Sequence, residues 1–215
     1  LDSRMCLAAH GVELGAKLAM FEEDDKTREF LRVRTDRPYE PIAADPDAHY
    51  EREIVLDLDE MPFVVAKPHQ FGNVAPVHEV AGTRIQQAQI GSCANGRYED
   101  IEIAARVLTG RKVAKGVRFL ISPASQQVYL RCVKDGLVVR LLEAGAQVIT
   151  PGCGICQPKV GFLSVGEVCI TSTTRNFKGR KGSMKAEIYL GGPLTVAAAA
   201  LAGEIVDPKE ALRGR

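Results

Sequence analysis

The sequence predicts an α/β fold: three layers, α/β/α, around a mostly parallel sheet, preceded by part of another α/β domain. Three observations predict it. From about Ile85 onward, short β-branched runs alternate with amphipathic helical stretches. The two cysteine-bearing turns, at Cys93 and at Cys153 with Cys156, each directly follow such a run. Before that point the alternation is absent, and residues 35–47 are rich in Pro, Asp and Ala, as a loop is. The expected division is a domain remnant over residues 1–79 and an α/β/α domain over residues 80–215.

The elements follow in order. Met5–Phe21 spaces its apolar residues as one helical stripe, with Asp2 or Ser3 as a cap. Asp24–Val33 reads as a second, shorter helix, and Glu53–Asp59 alternates like a strand. Lys67–Asn73, with Pro, His and Gly, is a crossover toward a new unit. Ile85–Ile90 is a strand leading into the turn Gly91–Gly96, and Tyr98–Leu108 is a helix with Ile101, Ala104 and Val107 on its apolar side. Val117–Ile121 is a strand; Ser125–Val133 and Leu137–Ala144 are helices separated by Gly136. Gln147–Thr150 is a strand running directly into Pro151, Val168–Thr171 is another, and Leu194–Ala202 is the final helix. Ligands of such sheets collect outside the carboxyl ends of the strands, so both thiol-bearing turns are expected on one edge.

At 215 residues, 46% apolar and 26% charged, the chain is large enough for an ordinary buried core. A formal charge of +1 points to neither nucleic acid nor a membrane surface as the main partner. No apolar run approaches the ~18 residues of a membrane span, and no secretory signal pattern is present. The first residue is Leu1 rather than Met, which fits a processed, trimmed or incomplete chain. Six cysteines in a chain with a normal core suit a reducing, cytoplasmic compartment, where thiols are free, redox-active or metal-bound.

Three thiols carry the chemistry: Cys93 in Gly91-Ser-Cys-Ala-Asn-Gly96, and Cys153 and Cys156 in Pro151-Gly-Cys-Gly-Ile-Cys156. Three ligands leave a coordination position open, as catalytic metal centres do. The residues alone allow an iron–sulfur cluster on three thiolates, or a zinc site completed by a histidine such as His69 or His78. They also allow a redox dithiol, or two small core residues. Ser172-Thr-Thr-Arg-Asn-Phe-Lys-Gly-Arg180 follows a strand on the same expected edge. Arg175 and Arg180 there suit bidentate recognition of carboxylates.

These segments together resemble the aconitase superfamily, in particular the C-terminal half of large subunits of the 3-isopropylmalate dehydratase and homoaconitase type. Ile90–Asp100 resembles the first cluster-ligand motif, Pro123-Ala-Ser-Gln-Gln-Val128 a P-G-S-Q-Q-V segment, and Pro151–Cys156 the second cluster motif. Thr173–Gly182 is similar to the N-R-N-F-x-G-R substrate loop, and Pro193–Gly203 to the helix that follows. The resemblance implies a [4Fe–4S] cluster on Cys93, Cys153 and Cys156, and carboxylate binding by Arg175 and Arg180. It also implies that Glu13, in Gly11-Val-Glu-Leu-Gly15, handles the departing hydroxyl or the entering water.

The implied reaction is a reversible dehydration and hydration of a hydroxy di- or tricarboxylate, of the 3-isopropylmalate type, within leucine biosynthesis. The implied partners are a small, swivel-domain subunit and the N-terminal half of the large subunit, without which the chain is expected to be inactive. Two positions depart from the family pattern: Ala9 and Thr174 stand where asparagine is usual. They motivate an alternative, a non-catalytic cluster-binding or scaffold fragment of the same fold. The four histidines His10, His49, His69 and His78 are expected to be structural or exposed residues.

Overall fold

The structure is a computed structural model and describes residues 1–213; the last two residues of the expected second domain lie outside the described residues. The chain divides into two compact units, Leu1–Met61 and Pro62–Arg215.

In the first unit, helix α1 spans Asp2–His10 and passes into a 3-10 turn over Gly11–Leu14. The helix expected to continue to Phe21 stops there. Gly15 adopts φ 83° and its N–H closes the turn onto the Gly11 and Val12 carbonyls, a left-handed stop that only glycine takes cheaply. Helix α2 covers Asp25–Arg32 as expected, capped by Asp24, whose carboxylate accepts the Thr27 N–H at 3.0 Å. The Arg4 guanidinium, 2.7 Å from Asp24, and that N–H hold the carboxyl well below its usual range. Glu53–Asp59, expected as a strand, is irregular, and Val55 within it is 86% exposed. Alternation marks a face to be covered, and a strand also needs a neighbour for its N–H and C=O groups. Among the described residues of this unit only Gly11 is buried.

The second unit is built on a seven-stranded sheet. Its strands are β1 (Val64–Ala66), β2 (Val74–Pro76), β3 (Gln87–Gly91), β4 (Arg118–Ser122), β5 (Gln147–Val148), β6 (Val168–Thr171) and β7 (Glu187–Gly191). The helices are α3 (Tyr98–Leu108), α4 (Gln126–Lys134), α5 (Leu137–Glu143), α6 (Pro193–Ala202) and α7 (Pro208–Arg213). The order is β2-β1-β7-β6-β3-β4-β5; β3 to β7 run parallel, and β1 is antiparallel to both β7 and β2. This is the mostly parallel α/β sheet that the alternation predicts. The expected boundary at residue 80 moves, however: β1 and β2 are hydrogen-bonded into this sheet and the unit starts at Pro62. Three-residue strands carry too little periodicity to be read from sequence.

The two faces are covered differently. Ala88, Ile90, Phe119, Ile121 and Ile170 join α3, α5 and α6 in the main core. Their strand neighbours point the other way. There Cys169, Ile188 and Leu190 pack with Leu163 and Ala186 from the long loops. Polar side chains share that second face: Gln87, Gln89 and Thr171 are buried, Gln87 bonding to a loop and Thr171 donating to Gln89 between strands β6 and β3. Gln87 donates to the Gly161 carbonyl at 2.8 Å and accepts from Arg118 Nε at 3.0 Å. Arg118 in turn grips both carboxylate oxygens of Glu167, at 2.8 and 2.9 Å.

That pair carries a pH prediction. The Arg118 guanidinium, aided by the Ser164 N–H, holds the Glu167 carboxyl below its ordinary range. Its contribution is therefore present above the ordinary carboxyl range and is lost as pH falls through the lowered value. Because the arginine side chain is 41% exposed, solvent screening limits the contribution to roughly 1 kcal/mol or less. Glu167→Gln is expected to melt lower at neutral pH and to lose less stability than the parent between about pH 6 and pH 3. Thermal unfolding across that range checks it; parallel curves would remove Glu167 from the acid response.

Candidate functional site

The sheet places the motif-bearing turns on neighbouring strand ends. The chain runs from β3 outward through β4 to β5, then returns to pair β6 on the other side of β3. The direction of winding therefore reverses between β3 and β6, which is where parallel sheets open a crevice at their carboxyl edge. The turn after β3 carries Cys93, and the loop after β6 carries Arg175 and Arg180. The segments after β4 and β5 carry Ser125 and the Cys153–Cys156 pair.

Hydrogen bonds stitch these segments together. Gly91 N–H donates to Ser172 Oγ at 3.2 Å, and Asn95 Nδ2 to the Ser172 carbonyl at 2.8 Å, joining the Cys93 turn to the arginine loop. Ser122 Oγ donates toward the Thr150 and Gly152 carbonyls at 3.3 and 3.4 Å, joining the β4 end to the second thiol turn. Asn176 Nδ2 donates to the Lys67 and Gln70 carbonyls, fixing the arginine loop to the loop after β1. The β4 segment is pressed against the first thiol turn, with Ala124 N–H donating to the Gly96 carbonyl at 2.7 Å. A Cβ at Gly96 would stand 2.6 Å from the Ser92 carbonyl oxygen, so only glycine permits that approach.

The thiols themselves are free, with Cys93 and Cys153 exposed and Cys156 half-buried. Cys153 precedes the 3-10 turn Gly154–Cys156, whose last N–H returns to its carbonyl at 3.1 Å. Buried Ser92 has its hydroxyl 3.0 Å from Cys156 Sγ and 4.0 Å from Cys93 Sγ, and so brings the two turns together. Cys132 and Cys169 are different in kind. Burial pushes the Cys132 thiol up to about 11 and the Cys169 thiol upward as well, which marks them as core groups.

Among the described residues, no three His, Cys, Asp or Glu side chains converge as the ligands of one ion would. A cluster makes a different demand, since each thiolate meets a separate iron. Three free, accessible thiols on glycine-bracketed turns, with a serine hydroxyl at one sulfur, are a donor set that fits it.

Of the arginines, Arg180 stands with its guanidinium 5.4 Å from the Phe177 ring and its Nε buried without a partner. Arg97, directly after the Cys93 turn, has a buried unpartnered Nε too. Sequence reading passed over it, although its signal was present in the Gly96-Arg97 pair that ends the motif. His69, on the loop held by Asn176, likewise has a buried Nδ1 without a partner. Arg175 is half-buried on the same loop as Arg180. Glu13 lies in the first unit, half-buried on the turn Gly11–Leu14.

Comparison with known proteins gives this edge a lineage. The family model described as "Aconitase family (aconitate hydratase)" matches residues 76–203. That span holds both thiol turns and the arginine loop. The chain belongs to the aconitase family. It is 47% identical to "3-isopropylmalate dehydratase large subunit 2" of Archaeoglobus fulgidus over 99% of its own length and 51% of that protein's. It is 49% identical to "Probable methanogen homoaconitase large subunit" of Methanosarcina mazei, over 96% of this chain and 52% of the relative. The 3-isopropylmalate dehydratase large subunit of Heliobacterium modesticaldum is 43% identical over 98% of this chain and 50% of its own. This aconitase-family chain thus spans about half the length of the curated relatives it matches, and resembles their C-terminal half. Among the described residues it has no helix long and apolar enough to cross a membrane.

Proposed function

We propose that this chain is part of an iron–sulfur hydro-lyase that reversibly dehydrates and hydrates a hydroxy di- or tricarboxylate, of the 3-isopropylmalate type, in a cytoplasmic setting. The observation that carries this reading is the meeting of two free-thiol turns and an arginine loop at the reversal point of the sheet. Cys93, Cys153 and Cys156 would hold a [4Fe–4S] cluster. When bound, the cluster supplies a Lewis-acidic iron that polarises the substrate hydroxyl.

The chain's own residues do the rest of their share by binding and orientation. Arg175 and Arg180 take substrate carboxylates; the orphaned Nε of Arg180 is a donor that desolvation has left waiting for an anion. Holding the carboxylates fixes which carbon carries the departing hydroxyl and offsets charge during elimination. Glu13 would accept or return the proton of the hydroxyl or water. The remaining half of a large subunit and a small, swivel-domain subunit would complete the site.

Anaerobic reconstitution with iron and sulfide, followed by assay with those two partners added, tests the proposal. The expected result is stoichiometric iron and sulfide, then hydration of an unsaturated dicarboxylate. A folded chain that takes up neither element would overturn the cluster. Uptake with continued catalytic silence would favour a scaffold fragment instead, with Ala9 and Thr174 as the first positions to revert to asparagine.

A further inference from the structure

Lys181 is 1% exposed, one of the largest fully buried side chains of the second unit. An ammonium placed there has three hydrogens to satisfy and a charge to balance. The hydrogens are satisfied: Nζ donates to Gln89 Oε1, to the Ile155 carbonyl at 2.8 Å and to Thr173 Oγ1 at 3.1 Å, with Thr171 Oγ1 at 3.4 Å. Gln89 turns its amide oxygen to the lysine and leaves its own Nε2 buried without a partner, the orientation that a cation demands. The charge is not balanced by any carboxylate hydrogen-bonded or ion-paired to Lys181 among the described residues.

Those acceptors come from four places: strand β3, the end of strand β6, the second thiol turn and the start of the arginine loop. Ile155 lies between Cys153 and Cys156, so its carbonyl is the middle of the thiol turn. We propose that Lys181 is a positioning residue for the thiol centre, anchoring the Cys153–Cys156 turn through Ile155 and supplying the buried positive charge that balances its thiolates. The charge part rests on the cluster reading above; the anchoring does not. Burial lowers the ammonium to about 8; the neighbouring Cys169 and Cys156 sulfurs oppose that shift and the Arg180 charge adds to it. A cation fixed beside thiolate-bound iron favours the added electron, so it raises the reduction potential of the centre.

Two substitutions separate anchor from charge. Lys181→Met keeps an unbranched apolar stem and removes both donors and charge; Lys181→Gln keeps donors without charge. In the metal-free chain, Lys181→Met is expected to exchange the amides of residues 152–160 about tenfold faster, with protection partly restored in Lys181→Gln. After reconstitution, both variants are expected to show a midpoint potential more negative than the parent's. Unchanged exchange in Lys181→Met would overturn the anchor. Altered exchange with an unchanged potential in both would reduce Lys181 to a clamp and overturn the charge. If the parent binds no iron and sulfide, the cluster reading and the charge both fall, and the exchange measurement still decides the anchor. Should Lys181→Met fail to fold by circular dichroism, Lys181→Gln carries both readouts.

Discussion

The Cys153→Ser variant is expected to take up no iron–sulfur cluster on anaerobic reconstitution while folding as the parent does. Cys153 is exposed and free, and its side chain adds nothing to either hydrophobic cluster. Its backbone carbonyl, which accepts the Cys156 N–H, is untouched by the change. Serine therefore costs the fold little, yet a hydroxyl ionises far less readily than a thiol and is a poor match for iron that prefers sulfur. Second-layer partners alone are worth roughly 10- to 100-fold in metal affinity, and loss of a direct ligand should exceed that. Iron and sulfide analysis beside far-ultraviolet circular dichroism provides the check. Cys132→Ser is the opposite control: its thiol is 0% exposed in the core, so stability should fall and cluster content should stay. Retention of the visible cluster absorption in Cys153→Ser would mean that this thiol is not a ligand.

The second large effect belongs to Gly96→Ala. The new methyl would meet the Ser92 carbonyl at 2.6 Å and the Ala124 nitrogen at 3.1 Å, both backbone atoms that cannot rotate aside. Overpacking of this kind costs about 1–3 kcal/mol, equivalent to roughly 2–12 °C in melting temperature at this chain length. The methyl also separates the Cys93 turn from the β4 segment, so cluster content should drop with stability. Gly192→Ala is the comparison: nothing lies within 4 Å of its added Cβ, and its φ of −65° suits any residue. It should melt within a degree or two of the parent. Equal melting of the two variants would show that the close approach at Gly96 is not needed.

Much of the second unit was legible because its information is local. The helix Tyr98–Leu108 has the bounds its apolar spacing sets, and β6 has those of its β-branched run. The strand ends after β3 and β5 followed from those elements, and with them the shared edge of the thiols. What failed depends on partners distant in sequence. β1 and β2 are strands because β7 and each other supply ladders, not because three residues declare a period. Glu53–Asp59 has the period and lacks the ladder. Ser92 and Lys181 were invisible for a related reason. Each is an ordinary residue type whose meaning comes from what lies across the sheet: a sulfur 64 residues away for Ser92, a carbonyl 26 residues away for Lys181.

The reversal of the sheet between β3 and β6 also sets a timetable. Cys153 and Cys156 are near neighbours in any conformation of the chain. Cys93 gains its supporting loop only through bonds that span 81 and 77 residues, to Ser172. Such contacts form late, after the entropy of closing a long loop has been met. A newly made chain therefore owns all three thiols well before it owns the centre. On the proposed reading, cluster uptake is a checkpoint on assembly: iron and sulfide are held once β6 has closed onto β3, and chains stalled short of that step stay colourless.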